Sequence, residues 1–319
     1  MKKIFVSVGD LNGIGIEIAL RSHKFARSLG EIAYSVSVEN ARNAARLLDL
    51  ELPGDFNCVG SEPRAAIKAG QISAESGAAS FASFKKAVEL AVEQNGLRNG
   101  IQGGAIVTLP ISKAAWALSG IVYKGHTDYL RGRFGGASGK AMGGVIMALG
   151  CNRRFAALFT DHIPLRDVAA AVKFDEFFEF LTRLAKLVSA RPIGVLGLNP
   201  HAGDYGAIGD EELEIERAIA AANRALGENV FEGTIVPDAA WTPKFLARYK
   251  WIAAIYHDQA LAPLKALFFD EAINVSLGLP IFRASVDHGT AFDIAYQGAN
   301  PSRKSYENAL LAAANGVYF

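Results

Sequence analysis

The sequence predicts an α/β protein with a largely parallel sheet. Short apolar segments rich in Val and Ile alternate with segments of helical periodicity, a pattern typical of repeated strand–helix units. Hydrophobic residues make up 50% of the 319 and charged residues only 20%, so the chain can bury a large core and is not intrinsically disordered. No fixed-period repeat, low-complexity tract or Pro/Gly linker divides it, so we expect two closely joined α/β lobes with a cleft between them.

Each predicted element follows from its apolar pattern. We expect one lobe over residues 1–125 with 270–319, on the cofactor side, and another over 126–269, carrying the metal and substrate site and the dimer contact. Helices are predicted at 77–93, 174–190, 211–226 and 302–313. Strands are predicted at 4–8, 33–38, 105–109, 144–149, 155–159, 193–198, 234–236, 252–256 and 273–275.

The overall charge and the cysteines exclude several classes of protein. A formal net charge of +1 gives no general field that would attract nucleic acid or an anionic membrane. Cys58 and Cys151 lie far apart and form no CxxC spacing, which argues against a disulfide framework. The apolar run after Met1 is too short for a signal peptide or a membrane span. We therefore expect a cytoplasmic protein in a reducing compartment.

The first predicted strand runs into a glycine-rich turn, Gly9 to Glu17. Such a turn could present backbone N–H groups to an anion at the start of a helix. The glycine spacing is not GxGxxG, however, and a tight strand-to-helix turn explains the same residues. Both interpretations stay open for this segment.

Three histidines stand in loops that directly follow predicted strands. His162 lies in the sequence TDHIP, His201 in NPHAG and His257 in YHDQ. Because parallel strands end at the same edge of a sheet, we expect these imidazoles to lie close together. Three neutral imidazoles suit zinc or a similar divalent ion and leave coordination positions open for a substrate. The sequence therefore predicts a catalytic metal site, with zinc as the first candidate and magnesium or cobalt as alternatives.

The other histidines and several cations predict different roles. His126 and Thr127 stand at a predicted helix start, where an anionic ligand is favourable. His288 opens a glycine-containing loop that we expect to lead into a helix and to offer backbone contacts to a nucleotide, whereas His23 is interpreted as structural. Lys265, Asn274 and Arg283 follow in consecutive elements and together could bind a phosphate and a carboxylate.

Several segments in this order resemble the PdxA family of 4-hydroxythreonine-4-phosphate dehydrogenases, over nearly the whole chain. The matching motifs are GDLNGIGIE, TLPISKAA, GHTDYL, NPHAGDYGAIGDEE, YHDQALAPLK and DHGTAFDIA. The resemblance implies a fold like that of isocitrate and isopropylmalate dehydrogenases. It also implies a homodimer whose active site lies at the subunit interface, with His162 and His201 from one subunit and His257 from its partner.

The resemblance also assigns roles by position. It places the metal ligands at His162, His201 and His257. In the implied mechanism Lys265 is a candidate proton-transfer group or a phosphate clamp, and Asp258 either orients a metal ligand or acts as a catalytic acid. An acidic residue such as Asp293 resembles an acceptor for the ribose hydroxyls, and it would repel a 2′-phosphate. We therefore expect NAD as the cofactor, with NADP as the alternative, bound near Gly289 and Asp293. The implied substrate contacts are His126, Thr127, Lys265, Asn274 and Arg283.

The implied reaction oxidises 4-phosphooxy-L-threonine, and decarboxylation then releases 3-amino-2-oxopropyl phosphate. The sequence leaves other functions open. A related dehydrogenase could act on phosphoerythronate or phosphothreonate with the same metal and cofactor sites. Phosphate acyltransferases share the fold but need no three histidines on a metal, and a non-enzymatic zinc-stabilised protein would bind metal without producing NADH. Asn12 and Tyr296 depart from the residues more usual in the family, which are alanine and glycine.

Overall fold

The computed structural model describes residues 3–62, 64–96, 104–135, 144–151 and 154–315. The chain folds as two compact units. The first comprises Met1–Val145 and resumes at Ile273, and the second comprises Ile146–Ala272. Each unit contains strands and helices that alternate along the chain, so the predicted α/β class is confirmed.

The first unit begins with alternating strands and helices. Its long helix α4 keeps a largely apolar face against the sheet, where Phe84, Ala87, Val88 and Ala91 are buried. The elements are β1 (Lys3–Ser7), α1 (Gly15–Arg21), α2 (His23–Leu29), β2 (Glu31–Ser35), α3 (Val38–Leu47), α4 (Ala74–Gly96), β3 (Ala105–Thr108), α5 (Lys113–Leu118) and α6 (His126–Phe134).

The second unit follows, and the chain then returns to the first unit for its last three elements. The second unit holds β4 (Ile146–Cys151), β5 (Arg154–Leu158), α7 (Val168–Ala171), α8 (Phe174–Leu187), β6 (Ile193–Leu196), α9 (Glu211–Leu226), β7 (Phe231–Ile235), α10 (Pro243–Arg248), β8 (Trp251–Ala254) and α11 (His257–Phe268). The returning elements are β9 (Ile273–Leu277), β10 (Phe282–Val286) and α12 (Lys304–Asn315).

The strands of the first unit lie in the order β2-β1-β3-β10-β9. The first four are parallel to one another, and β9 runs antiparallel to β10. Phe5, Ile106, Trp116 and Leu130 are buried together with the face of α4. The carboxyl ends of β1, β3 and β10 therefore meet at one edge of this sheet, because parallel neighbours end on the same side.

The strands of the second unit lie in the order β4-β5-β8-β6-β7. β4 is antiparallel to β5, and β5, β8, β6 and β7 are parallel neighbours. Helix α8 buries Phe177, Phe180, Leu181 and Leu184, one side of its 3.6-residue period, which is the pattern that made it predictable. The parallel run β5-β8-β6 carries the three histidine loops at one edge.

All nine predicted strands are present with shifted ends, but the sequence interpretation missed β10. Arg283 interrupts the apolar pattern of this strand, yet the side chain is only 3% exposed. The helix expected directly after Gly289 is wrong, because residues 292–298 form turns and α12 begins only at Lys304. Positive φ angles at Ala291, Tyr296 and Gly298 prevent a right-handed helix there. No helix in the described ranges has the length and apolarity needed to cross a membrane.

Candidate functional site

The structure brings the histidine loops of the second unit to one sheet edge. His162 follows β5, His201 follows β6, and His257 is the first residue of α11 after β8. The ring centroids of His162 and His257 are 5.5 Å apart, with the ring planes inclined by 42°. Two imidazoles bound to one tetrahedral ion have centroids about 5 Å apart, given a metal–nitrogen distance of about 2 Å. The separation of these two rings is therefore close to that of two imidazoles on one ion.

Neighbouring carboxylates contact both of these histidines. The Nδ1 atom of His257 lies 3.0 Å from Oδ1 of Asp258, and the backbone N–H of His162 donates to Oδ1 of Asp161 at 2.6 Å. A carboxylate on Nδ1 fixes the proton there and leaves Nε2 as the metal-binding atom. The Asp258 carboxylate therefore favours one orientation and one tautomer of the His257 ring.

His201 lies in a turn of left-handed backbone. The φ angles from His201 to Tyr205 lie between 42° and 75°, although only Gly203 among these five residues adopts such values without strain. Strained backbone of this kind is concentrated at functional sites. Within the described parts of one chain, no three His, Cys, Asp or Glu side chains are grouped closely enough to hold a metal ion. His162 and His257 thus come together in one chain, but no complete three-histidine cluster forms.

The first unit contains a buried guanidinium at the middle of its sheet. Arg283 donates to the hydroxyl oxygens of Thr108 and Ser276 at 3.1 Å each, and to the side-chain oxygen of Asn274 at 3.4 Å. These contacts hold the guanidinium plane in one orientation. A fixed guanidinium is suited to two-point recognition of a phosphate or carboxylate. Asn274 and Arg283, both predicted as substrate contacts, are therefore neighbours.

His126 opens α6, as the sequence predicted, and its ring packs against two aromatic side chains. The ring centroids of Phe84 and Trp116 lie 4.4 Å and 5.6 Å away. Burial, and then the positive charge of Arg283, hold the pKa of His126 well below its ordinary value. Its Nε2 atom is buried and has no hydrogen-bond partner among the described residues. His126 is therefore a neutral imidazole with one nitrogen available to a ligand.

A cavity of about 160 Å³ adjoins this imidazole. The Nδ1 atom of His288 donates to the carbonyl of Gly289 at 3.0 Å, which leaves Nε2 of His288 as an acceptor, buried and without a partner in the described chain. The sequence interpretation did not name Thr108 or Ser285, although both stand near the end of a strand. The cavity is lined by Thr108, Leu109, Pro110, Ile111, His126, Ser285, Val286, His288 and Gly289.

The predicted cofactor residues Gly289 and Asp293 lie in the segment after β10, which contacts the first glycine-rich turn. The backbone N–H of Ile14 donates to the carbonyl of Thr290 at 3.1 Å, and the Tyr296 hydroxyl donates to the carbonyl of Leu11 at 2.7 Å. Gly289 and Asp293 are both exposed. An exposed carboxylate beside a loop with accessible backbone is a suitable acceptor for ribose hydroxyls.

The polar side chains of the first glycine-rich turn form hydrogen bonds with neighbouring segments of the protein. The Asp10 carboxylate accepts from the Asn12 backbone N–H at 3.0 Å and from the Ser76 hydroxyl at 3.2 Å, and burial raises the pKa of Asp10. The Asn12 amide donates to the carbonyl of Gln71 at 2.7 Å and accepts from the backbone N–H of Lys68 at 2.8 Å. This turn therefore joins neighbouring loops of the first unit.

The remaining predicted residues are divided between the units. Thr127 is the second residue of α6 in the first unit. Lys265 lies on α11 in the second unit, about two helical turns beyond His257. His23, interpreted as structural, is buried and contacts the Tyr34 hydroxyl and the Asp55 carboxylate, at 2.9 Å each.

Comparisons with known proteins agree over almost the whole chain. The family model described as "Pyridoxal phosphate biosynthetic protein PdxA" matches residues 17–313. The 4-hydroxythreonine-4-phosphate dehydrogenases of Sulfurimonas denitrificans and Campylobacter fetus are each 45% identical, over 98% and 97% of this chain and 96% of each relative. Among solved structures, the 4-hydroxythreonine-4-phosphate dehydrogenase of Klebsiella pneumoniae has a TM-score of 0.80 at 29% identity, covering 98% of this chain and 100% of that chain.

A more distant structure shares the fold. The terephthalate 1,2-cis-dihydrodiol dehydrogenase of Burkholderia xenovorans LB400 has a TM-score of 0.65 at 23% identity, covering 100% of this chain and 99% of that chain.

Proposed function

The chain belongs to the family of the pyridoxal phosphate biosynthetic protein PdxA, and from that premise we propose that it oxidises 4-phosphooxy-L-threonine with NAD. The hydride leaves C3 of the substrate, and the hydroxyl proton leaves with it. The product, 2-amino-3-oxo-4-phosphooxybutanoate, is a β-keto acid, so it loses carbon dioxide to give 3-amino-2-oxopropyl phosphate. The observation that best supports the reaction is the pair of imidazoles at 5.5 Å in a chain that also holds an oriented guanidinium.

The chemistry of the donor set fits a divalent metal. His162 and His257 are spaced for one ion, and His201 is the proposed third ligand. Zinc suits three imidazoles best, and magnesium and cobalt are the alternatives. The cation supplies the Lewis acidity that lowers the pKa of a coordinated hydroxyl. The Asp258 carboxylate keeps the ring of His257 in the tautomer that offers Nε2.

The three histidines do not form one cluster within the described part of a single chain, so we propose that a homodimer completes the metal site. The resemblance divides the ligands as His162 and His201 from one subunit and His257 from the other. The 5.5 Å separation within one chain favours a second division, in which His162 and His257 act together and His201 comes from the other subunit. Both divisions need two chains.

Four side chains of the first unit are proposed to bind the anionic groups of the substrate. Arg283 and Asn274 are already held against each other, and His126 offers a buried neutral nitrogen. Thr127 adds a hydroxyl at the start of α6, where backbone N–H groups point toward an anion. A neutral His126 donates a hydrogen bond without a second charge beside Arg283. Lys265 and Asp258 are the candidates for taking the hydroxyl proton.

NAD supplies the hydride acceptor, and the proposed contacts are Gly289 and Asp293. Asp293 is exposed in a turn, so its carboxylate can accept hydrogen bonds from ribose hydroxyls and would repel the 2′-phosphate of NADP.

A single assay tests the proposed function. NADH absorbance is followed with 4-phosphooxy-L-threonine, phosphoerythronate and phosphothreonate, each with and without a chelator. The expected result is metal-dependent NADH formation that is fastest with 4-phosphooxy-L-threonine. Preference for one of the other acids would identify the related dehydrogenase instead, and metal binding without NADH from any of them would reject an oxidoreductase.

A further inference from the structure

Buried hydrogen bonds join the three strand ends that carry His162, His201 and His257. Ile255, the residue after β8, stands at the centre of these bonds. Its carbonyl accepts from the backbone N–H of Thr160 at 2.9 Å and from the Thr160 hydroxyl at 2.7 Å. Thr160 is 6% exposed and precedes His162 by two residues. The end of β5 is thereby fixed to the end of β8.

The side chain of Gln259 adds to the backbone pairing of β8 with β6 at the ends of these two strands. The amide oxygen of Gln259 accepts from the backbone N–H of Ile255 at 2.8 Å, and its amide nitrogen donates to the carbonyl of Gly197 at 2.7 Å. Gln259 is 9% exposed. β6 ends at Leu196. Beyond that end, the bond from Gln259 holds the carbonyl of Gly197, while the Gly197 N–H donates to the carbonyl of Ile235 in β7 at 2.9 Å.

Gly197 carries that connection to the turn of His201. A Cβ atom on Gly197 would lie 2.9 Å from Cβ of Ala202, the residue after His201, so the two backbones are in close contact. The Glu212 carboxylate holds the same loop, because one of its oxygens accepts from the backbone N–H groups of Leu198 and Asn199 at 2.8 and 2.7 Å. A displacement of Gly197 would therefore displace the backbone of His201.

Gln259 itself does not face the metal position. It stands two residues after His257 on α11, and residues at this spacing point to different sides of a helix. The oxygen and the nitrogen of its amide both form hydrogen bonds with backbone groups. Buried polar groups in folded proteins nearly always have such hydrogen-bond partners. Its place in the fold fits a positioning residue and not a ligand.

We propose that Gln259, together with Thr160, fixes the histidine loops at the sheet edge of their own chain, so that each imidazole is placed for a metal site shared with the second subunit, and thereby sets the affinity of the protein for its metal. This role rests on the proposed function, since it requires the histidines to bind an ion. Residues that orient metal ligands typically change affinity about 10- to 100-fold when they are replaced.

The test compares Gln259→Glu with a matched control, Asn223→Asp. Asn223 also joins a helix to the backbone of a strand, through two hydrogen bonds from α9 to Phe231 at the start of β7, at 2.9 and 3.0 Å. It contacts none of the three histidine loops through these bonds. Each substitution replaces an amide nitrogen donor with an oxygen of nearly the same size. Both should lower the melting temperature of the metal-free protein.

Metal affinity of the full-length protein is measured with Co²⁺ and Zn²⁺ in competition with a chromophoric chelator. Gln259→Glu should bind about 10- to 100-fold more weakly than wild type, and Asn223→Asp should stay within about twofold. Thr160→Val, which keeps the size of the side chain and one of the two bonds to Ile255, should weaken binding by a smaller factor. Should Gln259→Glu not fold, Thr160→Val against Asn223→Asp makes the same comparison.

Two results would overturn the positioning role while leaving the proposed function intact. One is a Gln259→Glu protein that binds metal as tightly as wild type, and the other is equal weakening in Asn223→Asp, which would reflect lost stability alone. A wild-type protein that binds no metal would instead overturn the proposed function, and this role with it.

Discussion

The proposed anion-binding residues of the first unit, Arg283, Asn274, His126 and Thr127, and the three histidines proposed as metal ligands in the second unit differ in how far a single chain brings them together. In the first unit, Arg283 is 3% exposed and held by three side chains, and the Nε2 atom of His126 is already buried. In the second unit, the side chain of His162 is 61% exposed and Tyr205, beside His201, is fully exposed. One site is preformed, whereas the other is open.

Exposed apolar side chains accompany the histidines of the open site. Ile163 and Leu165 follow His162 and are 40% and 69% exposed, and Ile208 and Leu213 follow His201 and are 47% and 58% exposed. These apolar side chains lie on the segments that carry His162 and His201, and a second chain bound at those segments would cover them. The difference between the two regions is explained if the anion-binding residues function within one chain and the metal site requires a second.

The largest effect is expected from loss of the metal. Treatment with a chelator, or the substitution His257→Ala, should lower kcat/KM by more than about 100-fold, because a missing ligand weakens both ion binding and its geometry. The circular dichroism spectrum should be unchanged, since each unit has its own apolar core. His23→Gln is the matched control, a histidine outside both sites that should lose stability and keep its metal. Full activity in metal-free protein would remove the metal from the mechanism.

A smaller loss of activity, selective for the phosphorylated substrate, is expected when Arg283 is changed. Arg283→Lys keeps the charge and loses the planar fork, so KM for the phosphorylated substrate should rise about 10- to 100-fold, the range of a charge-assisted hydrogen bond. KM for the dephosphorylated analogue should change far less. Steady-state kinetics with both substrates measure this difference. Equal increases in KM for the two substrates would mean that Arg283 binds the substrate carboxylate or only supports the fold.

The burial of His126 predicts a dependence of stability on pH. Its pKa is lowered in the folded protein, so below the unfolded value of about 6.5 the unfolded chain binds the proton more readily. Stability is therefore lost as the pH falls below about 6.5, by at most about 1.4 kcal/mol per pH unit from this group. Urea unfolding at pH 7 and pH 5.5 should show a smaller pH dependence in His126→Gln than in wild type. An identical dependence would mean that His126 is accessible to protons when folded.

The smallest effect concerns the cofactor. Wild-type protein should prefer NAD to NADP, and Asp293→Ser should narrow the ratio of the two kcat/KM values by about tenfold, since one repulsive charge at an exposed position is removed. The neighbouring exposed Gln297→Ser serves as a control that leaves the charge in place. A ratio unaffected by Asp293→Ser would exclude this carboxylate from the ribose site.

The parts of the fold that depend on local pattern could be predicted. Apolar runs gave the strands before His162, His201 and His257, and α9 has the predicted ends. Strand β10 was missed because a buried arginine breaks its pattern, and such burial depends on partners such as Thr108, far away in sequence. Local sequence also cannot indicate a left-handed turn that contains one glycine in five residues.

The candidate site shows the same limit. The sequence indicated which residues follow strands, but the order β5-β8-β6, which makes their loops neighbours, arises only from the tertiary fold. The link from Gln259 to Gly197 spans 62 residues of sequence and exists only because β8 lies beside β6. Positioning contacts of this kind depend on strand order, so no motif contains them.

The division of ligands between subunits can be determined with pairs of inactive variants. A heterodimer that carries His162→Ala on one chain and His201→Ala on the other separates the two divisions. If His162 and His201 of each site come from the same subunit, each of the two sites lacks one histidine, and the heterodimer stays inactive. If His162 and His257 come from one subunit, that same heterodimer regains activity. Purified doubly tagged heterodimers give the answer directly.

The measurement that most directly tests the two-chain metal site is the activity of a heterodimer of His201→Ala and His257→Ala. Under either division of ligands, one of its two sites contains all three histidines and the other lacks two. The heterodimer should therefore have about half of the wild-type activity if the sites act independently, while each parent homodimer is inactive. Activity no higher than that of the parents, in a heterodimer shown to be folded and supplied with metal, would contradict both proposed divisions of the ligands between two subunits.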